Sequence, residues 1–219
     1  MNHFDSPTVT IDDVIFQLID GTLKVLLVER THEPFKGTWA LPGGYVTSKE
    51  TSMAALRRTL EAKTSIPHEK IDYIEQLYTF DTPGLHGGNA ISLTYLMLTR
   101  GVESHQTAAQ KFFGVKDLPE LAYEHGYIVH YAYQRLQHKI LYSNVAFALL
   151  SPRFTLSDLQ SAYEEILDQK LDKRNFRKKF LQLDLIEPTE HYQKDGAHRP
   201  AKLYRFKQQK LVALSRSFN

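Results

Sequence analysis

The chain has 219 residues, of which 42% are hydrophobic and 24% charged, and its net charge at neutral pH is +2. That length suits one large domain or two modest ones. The chain contains no cysteine, which excludes disulfides, thiol catalysis and cysteine-liganded zinc and favours an intracellular location. Its N-terminus lacks the apolar segment of a signal peptide, and no run reaches the ~18 apolar residues of a membrane span. We therefore expect a soluble, cytoplasmic protein.

The charge is distributed unevenly along the chain. Residues 1–150 carry 13 Lys and Arg against 16 Asp and Glu, a net charge of −3. Residues 151–219 carry 14 Lys and Arg against 9 Asp and Glu, a net charge of +5. A basic C-terminal part joined to a mildly acidic N-terminal part indicates that the smaller part meets a polyanion.

The first predicted elements are two strands. Residues 8–18 and 23–29 are apolar and rich in β-formers, and the turn signal Asp20-Gly21 between them predicts a hairpin. A loop with many turn-forming residues follows at 31–37. It leads into the segment Trp39-Ala-Leu-Pro-Gly-Gly44.

A helix is predicted from near Thr47. Thr47-Ser-Lys-Glu50 matches a capping box, in which the Thr side chain and the Glu carboxylate each satisfy a free backbone N–H. Met53, Leu56 and Leu60 then fall on one helical face, which we expect to be buried.

Two strands and a long helix complete the first part. We predict the strands at residues 71–80 and 90–99, separated by a loop rich in glycine and proline at 81–89. The helix is predicted over residues 124–143, with apolar side chains recurring at helical spacing. Because it lies next to the domain boundary, our hypothesis is that it shifts when a ligand binds and transmits that signal to the second part.

The pattern changes at Ser151-Pro152. A helix is predicted from Phe154, a short break at 168–172 leads to a second helix over 173–183, and two short strands follow around a polar loop. Helix, helix and hairpin in about 65 residues is the order of a winged helix-turn-helix.

The segment from Trp39 to Ile66 resembles the Nudix family. The Nudix signature is Gly, five residues, Glu, seven residues, then Arg-Glu-apolar-any-Glu-Glu-any-Gly-apolar. Gly44, Glu50 and Arg58 fall in register with it, and Leu60 and Ile66 fill its apolar positions. The resemblance implies an α+β protein: a Nudix α/β/α sandwich with a mixed sheet, followed here by the winged helix-turn-helix. We expect a Nudix-like ligand-sensing domain at 1–148 and a winged-helix domain at 149–219.

The residues that bind metal in Nudix hydrolases are missing from this signature. Those enzymes hold magnesium on helix carboxylates that bridge it to a diphosphate. The three glutamate positions are Thr59, Ala62 and Lys63, the signature glycine is Ser65, and Glu61 occupies the variable position. We expect no useful pyrophosphatase activity, no catalytic residue, no bound metal and no cofactor.

A ligand pocket is nevertheless expected around the signature. Trp39 is placed to stack on a base or sugar, while nearby cations are placed to pair with phosphate. For each there is an alternative: Trp39 in the core, Glu50 and Arg58 as scaffold that ties helix to loop, and the cations as solvated surface charges. The candidate ligand-binding residues are Arg30, Lys36, Trp39, Gly43, Gly44, Glu50, Arg58 and Lys63.

The second helix of the C-terminal part is the candidate DNA-binding element. With Lys170 it places six Lys and Arg within ten residues, while Phe176, Phe180 and Leu183 form its buried face. Arg and Asn suit bidentate contacts with base edges, and Lys neutralises phosphate. A solvated helix face is the alternative reading of the charge run. The candidate DNA-binding residues are Lys173, Arg174, Asn175, Arg177, Lys178, Arg199 and Lys202.

The tail Arg199-Pro-Ala-Lys-Leu-Tyr-Arg-Phe206 resembles the wing of the Nudix-related transcriptional regulators of the NrtR type. That resemblance implies a homodimer on a palindromic double-stranded DNA operator, repressing NAD metabolism genes under the control of ADP-ribose. Other members of the family sense sugars such as arabinose. The remaining alternatives are a working Nudix hydrolase of ADP-ribose or another nucleoside diphosphate derivative, and an interaction module that binds protein or RNA.

Overall fold

The computed structural model describes residues 7–81, 89–102, 105–194 and 200–214. By its contacts the chain divides into two compact units, residues 1–17 with 24–132 and residues 18–23 with 133–219. The expected boundary between residues 148 and 149 stays a prediction. Within the described ranges, no helix is both long and apolar enough to cross a membrane.

A mixed seven-stranded sheet forms the centre of the first unit, in the order β3-β2-β1-β6-β5, with β4 beside β1 and β7 beside β2. β1 and β6 run parallel, whereas β2 pairs antiparallel with β3 and β7. β1 and β2 are neighbours, which confirms the predicted hairpin. The strands are β1 (Thr8–Ile19), β2 (Thr22–Glu29), β3 (Trp39–Ala40), β4 (Gly43–Tyr45), β5 (Tyr73–Phe80), β6 (Ala90–Leu98) and β7 (Gln110–Gly114).

Two helices, α1 (Ser52–Thr64) and α2 (His125–Tyr142), contact opposite faces of this sheet. Consecutive residues of a strand point to opposite faces. On β6, Tyr95 donates a hydrogen bond to Ser52 of α1 over 3.0 Å. On β1, the carboxylate of Asp12 lies 3.6 Å from the ring of His125 in α2. Asp12 pairs with Thr94, the neighbour of Tyr95, so the two contacts lie on different faces.

The helix predicted from near Thr47 begins five residues later, at Ser52. Its N-cap is Thr51, whose side chain accepts a hydrogen bond from the Ala54 N–H. Thr47 and Glu50 instead close a turn of their own: the Glu50 carboxylate accepts the Thr47 N–H over 2.8 Å. The capping-box motif therefore predicted one real contact and placed the start of the helix wrongly.

The buried face of α1 also differs from the prediction at one position. Leu56 and Leu60 are fully buried as expected, but Met53 is 37% exposed. The buried face continues through Ala55 and Thr59, because the true start at Ser52 leaves Met53 in the first turn, at the rim of the packed surface. The short strands β3 and β4 and the strand β7 were not predicted.

The second unit contains the predicted helix, helix and hairpin. They are α3 (Leu156–Leu167), α4 (Lys173–Gln182), β8 (Ile186–Gln193) and β9 (Ala201–Phe206). Thr155 and Asp158 form a complete capping box at the start of α3. An isolated bridge between Phe154 and Tyr204 adds a third strand position to the hairpin.

An aromatic core holds this second unit together. The Tyr163 ring packs edge-on against Phe176 and Phe180, with ring centroids 5.4 and 5.5 Å apart. Phe154 and Phe206 pack at 5.1 Å and join the hairpin to the same cluster. All five side chains are at most 4% exposed, so the helical spacing of the phenylalanines in α4 correctly predicted its buried face.

Candidate functional site

Glu50 and Arg58 join the signature helix to the loop in front of it. Arg58 Nε donates to Glu50 Oε2 over 3.0 Å, and its Nη2 donates to the Tyr45 carbonyl over 2.9 Å. The hydrogen bond from Arg58, together with the Thr47 N–H, lowers the pKa of Glu50 to about 2. Glu50 is therefore a carboxylate at neutral pH, bound to a cation of the same chain.

The three positions of the missing glutamates do not fit a magnesium ion. The Thr59 hydroxyl donates back to the helix, to the carbonyls of Ala55 and Leu56 at 2.9 and 3.1 Å, and the side chain is 3% exposed. Ala62 has no ligand atom, and Lys63 is an exposed cation. Among the described residues, no group of three or more His, Asp or Glu is arranged to hold a metal. Magnesium prefers several oxygen ligands, which this helix face does not supply.

The two glycines of the loop are required by close packing. Gly43 pairs with Asp12 on β1, and a Cβ at Gly43 would collide with the Ile11 carbonyl oxygen. A Cβ at Gly44 would lie 3.0 Å from the Thr59 Cγ2, at the contact between loop and helix. The absence of side chains at Gly43 and Gly44 thus allows the loop backbone to pack closely between β1 and α1.

Arg30 and Trp39 lie on adjoining segments. The Arg30 N–H donates to the carbonyl of Thr38, the residue before Trp39, over 2.9 Å. The Arg30 guanidinium lies 4.8 Å from the centroid of the Tyr123 ring. Trp39 packs edge-on against Phe113 at 4.8 Å and is half-buried, so it combines a packing role with a partly accessible ring.

Lys36 and Lys63, the other two cations among the ligand candidates, are exposed. The hydrogen bonds and ion pairs of the described residues attach neither of them to Arg30, Trp39 or the Glu50–Arg58 pair. The part played by each of these residues in ligand binding stays a prediction. The predicted ligand loop at 81–89 lies, apart from Asp81 and Asn89, outside the described residues.

The sequence analysis missed a buried polar cluster behind the loop. Asp12 accepts a hydrogen bond from Ser92, whose hydroxyl lies 3.0 Å from that of Thr94. His125 Nδ1 accepts the Leu41 N–H over 2.9 Å, and its Nε2 faces Asp12. The signal for this cluster was the pair Asp12-Asp13 inside an otherwise apolar strand, which is unusual for a strand covered on both sides.

Tyr123 is a second missed residue, because it lies in a connection without a motif. Burial raises the pKa of its hydroxyl, and the charges of Tyr45 and Asp12 raise it further, while Arg30 lowers it. The Tyr123 ring lies 4.8 Å from the Arg30 guanidinium and 5.5 Å from the His125 ring, measured to the ring centroids. Tyr123 therefore joins the candidate ligand residue Arg30 to His125 of the buried polar cluster.

The basic helix α4 presents an exposed face of cations. Asp172 caps the helix by accepting the Asn175 N–H over 2.8 Å. Lys173, Arg174 and Lys178 are exposed and form no ion pair within the described part of the chain. We call these three residues, with the exposed Asn175, the basic face of α4.

Two cations of the predicted charge run have other contacts. Arg177, one of the candidate DNA-binding residues, is half-buried, and its Nη2 donates to Ser157 of α3 over 3.1 Å. Lys170 forms an ion pair with Glu164 at 2.9 Å, which also lowers the pKa of Glu164 to about 2. Arg177 therefore contacts the neighbouring helix α3, and its part in DNA binding stays a prediction.

The wing carries further exposed charge. Lys202 on β9 is exposed, and Lys194 at the end of β8 is exposed as well. Arg205 pairs with Glu187 across the hairpin at 2.7 Å, so its charge is partly neutralised. The candidate Arg199 lies outside the described residues.

Comparison with family models matches both parts of the chain. Residues 10–132 match the model of the NUDIX domain, and residues 146–206 match the NrtR DNA-binding winged helix domain. These matches confirm the fold class predicted from the sequence, a mixed-sheet Nudix sandwich followed by a winged helix.

Comparison with individual proteins gives similar sequences and structures over nearly the whole chain. An ADPR responsive transcriptional repressor of Acinetobacter baylyi is 32% identical over 214 residues, covering 94% of this chain and 84% of that protein. The crystal structure of Shewanella oneidensis NrtR complexed with a 27mer DNA is 32% identical, with a TM-score of 0.79, and covers 91% of this chain and 93% of that one. The Nudix domain of the same Shewanella protein, cocrystallised with ADP ribose, is 31% identical, with a TM-score of 0.53, and covers 61% of this chain and 90% of that one.

Proposed function

Since the chain belongs to the NrtR family of Nudix-related transcriptional regulators, we propose that it is a DNA-binding repressor whose Nudix domain binds ADP-ribose. Its targets in this proposal are genes of NAD metabolism. The observation that carries the proposal is the basic face of α4, exposed on the second helix of a winged-helix unit that follows a Nudix domain without its metal ligands. A DNA target implies that the protein acts in the cytoplasm.

We propose that DNA is bound by the basic face of α4 and the wing. Lys173, Arg174 and Lys178 have no intramolecular ion pair within the described residues, so no such pair must break before they reach phosphate. Asn175 offers amide groups for an adenine edge. The half-buried Arg177 contributes mainly by holding α4 against α3. Two protomers, each offering one such face, would read a palindromic operator.

We propose that ADP-ribose is held without metal. The sugar or base stacks near Trp39 and Tyr123, and the diphosphate is neutralised by cations in place of magnesium, with Arg30, Lys36 and Lys63 as candidates. The Gly43-Gly44 loop forms one side of the proposed ADP-ribose site, and the Glu50–Arg58 pair supports that loop. A ligand that is bound and not cleaved is what a sensor needs.

A mobility-shift assay with the DNA upstream of the chain's own gene tests this function. We expect a specific complex at nanomolar to micromolar protein, and we expect ADP-ribose to change its affinity, while the same concentration of AMP serves as a control. No binding to any upstream duplex would overturn the repressor. Binding that responds to arabinose and not to ADP-ribose would favour the sugar-responsive alternative of the same family.

An assay of ADP-ribose hydrolysis with magnesium or manganese tests the loss of catalysis. We propose that the chain is not an enzyme, because Thr59, Ala62 and Lys63 supply no carboxylate to a metal. We expect no release of AMP above the background without protein. Turnover comparable to that of a Nudix hydrolase would overturn this and favour the enzyme alternative.

A further inference from the structure

The Gly43-Gly44 loop is attached at its start to the beginning of α2. The Ala122 N–H, just before the helix, donates to the Trp39 carbonyl over 2.8 Å. In the first turn of the helix, His125 Nδ1 accepts the Leu41 N–H over 2.9 Å, and the His125 ring is 3% exposed. Both contacts join the segment that precedes the two glycines to the residues that begin α2.

The second nitrogen of His125 faces the strand on which the loop lies. An Nδ1 that accepts a hydrogen bond carries no proton, so in the neutral ring the proton is on Nε2. That nitrogen lies 3.6 Å from Asp12 Oδ1. A Cβ at Gly43 would lie 3.1 Å from the same oxygen, so loop, carboxylate and imidazole are in one packed group. These contacts link the position of His125 to that of the loop.

Helix α2 is a single helix of 18 residues that contributes to both compact units. Residues 125–132 belong to the first unit and residues 133–142 to the second. Packed side chains and rigid secondary elements are the physical means by which one site influences another. Because the backbone of α2 is continuous, a shift at its first turn can be transmitted to residues 133–142.

We propose that His125 is the positioning residue that couples the Gly43-Gly44 loop to α2, through its hydrogen bond with the Leu41 N–H. The inference rests on the proposed binding of ADP-ribose at the Gly43-Gly44 loop. His125 does not contact the ligand in this scheme. It converts a change in the loop backbone into a change at the start of the helix.

Four variants of the full chain separate this role from general destabilisation. His125→Asn keeps an acceptor at the Nδ1 position, whereas His125→Gln reaches the Nε2 position and leaves Leu41 without an acceptor. His125→Ala removes both nitrogens. His130→Ala is the matched control, because His130 is an exposed histidine of the same helix.

The measurement is amide hydrogen exchange of residues 133–142 with and without saturating ADP-ribose. The affinity of each variant for ADP-ribose is first measured by calorimetry, so that saturation is known. We expect the ADP-ribose-dependent change in exchange to be retained in wild type, His125→Asn and His130→Ala. We expect it to be lost in His125→Ala and His125→Gln at full occupancy. If His125→Ala fails to fold, the contrast between His125→Asn and His125→Gln still decides the result.

Four results overturn the proposal, three of which leave the proposed effector intact. His125→Gln transmitting the change as wild type does would show that the Leu41 hydrogen bond is not needed. His125→Asn losing the change as His125→Gln does would show that restoring an acceptor is not sufficient. A wild type that binds ADP-ribose without any change in residues 133–142 would remove the coupling and leave the proposed effector intact. Absence of ADP-ribose binding by wild type would instead overturn the proposed effector, and this inference with it.

Discussion

Ser65 ends α1 in a conformation that favours glycine. Its φ is +54°, and its N–H closes the helix on the Glu61 carbonyl over 2.8 Å. A residue with a Cβ in this region costs about 1–2 kcal/mol, and glycine avoids that cost. We expect Ser65→Gly to stabilise the protein by about 1 kcal/mol, because glycine also loses more backbone entropy on folding. The midpoint of urea unfolding, at an unchanged slope, measures the effect.

Ser48→Gly is the matched control for this prediction. Ser48 is also exposed, but it is not among the residues with positive φ. We expect that substitution to be neutral or destabilising. If Ser65→Gly raises the free energy of unfolding no more than Ser48→Gly does, the positive φ of Ser65 does not destabilise the protein.

Asp13 is a buried carboxyl at the centre of β1. It is fully buried, and neither of its carboxyl oxygens has a hydrogen-bond partner within the described residues. Burial raises its pKa well above the ordinary value, and the charge of Asp12 raises it further. Because the folded state binds this proton more tightly than the unfolded chain, its stability falls as pH rises from about 4 towards the folded pKa, by up to about 1.4 kcal/mol per pH unit.

We therefore expect Asp13→Asn to remove the fall in stability that wild type shows as pH rises. The difference in unfolding free energy between the variant and wild type grows in favour of the variant as pH rises from 4 to 7, measured by urea unfolding at several pH values. Asp81→Asn, at an exposed carboxylate, is the control. Parallel pH profiles for Asp13→Asn and wild type would contradict the neutral state of Asp13.

Helix α4 and the connection before it differ in whether their cations are already paired. Arg174 is exposed without an ion pair in the described chain, whereas Lys170 is bound to Glu164 at 2.9 Å. We expect Arg174→Ala to weaken operator binding by about 1–3 kcal/mol if it reads a base edge, and with little effect on folding. A quantitative mobility shift at constant salt measures this change.

Lys170→Ala tests the same helix region with a cation of equal charge. Because Lys170 precedes α4 and pairs with Glu164, we expect a smaller loss of operator affinity than for Arg174→Ala. Equal losses for Arg174→Ala and Lys170→Ala would mean that only net charge matters and that the basic face of α4 is not the contact surface.

At the scale of the whole molecule, the salt dependence of DNA binding reports how many protomers bind. Among the described residues, α4 and β9 of each protomer offer four exposed cations without an ion pair, Lys173, Arg174, Lys178 and Lys202. If each neutralises one phosphate, the slope of log K against log salt is about −7 for the proposed dimer and about −4 for a monomer. Affinities measured from about 50 to 200 mM salt give the slope.

A dimer also predicts a mass near twice the 25.3 kDa of one chain and a protected DNA region with two half-sites about one helical turn apart. Light scattering of the free protein and a footprint of the complex test these two points. A slope near −4 with one protected half-site would contradict the proposed homodimer.

Local patterns were sufficient where neighbouring residues decide the structure. The turn signal Asp20-Gly21 between two apolar, β-rich segments predicted the first hairpin, and the spacing of Phe176 and Phe180 predicted the buried face of α4. The spacing of Gly44, Glu50 and Arg58 indicated the Nudix fold, and Thr59, Ala62 and Lys63 indicated the loss of its metal ligands. Each of these features depends on residues that are close together in the sequence.

Sequence patterns thus indicated the class of both domains and the basic character of α4. Which groups meet depends on the packing of the folded chain. That packing brought Asp12, Leu41 and His125 together from segments far apart in the chain, turned Arg177 onto Ser157, and neutralised Lys170. The physical reason is that burial and pairing depend on which surfaces pack against each other, and residues separated by 80 or more positions carry no local pattern that predicts such a contact.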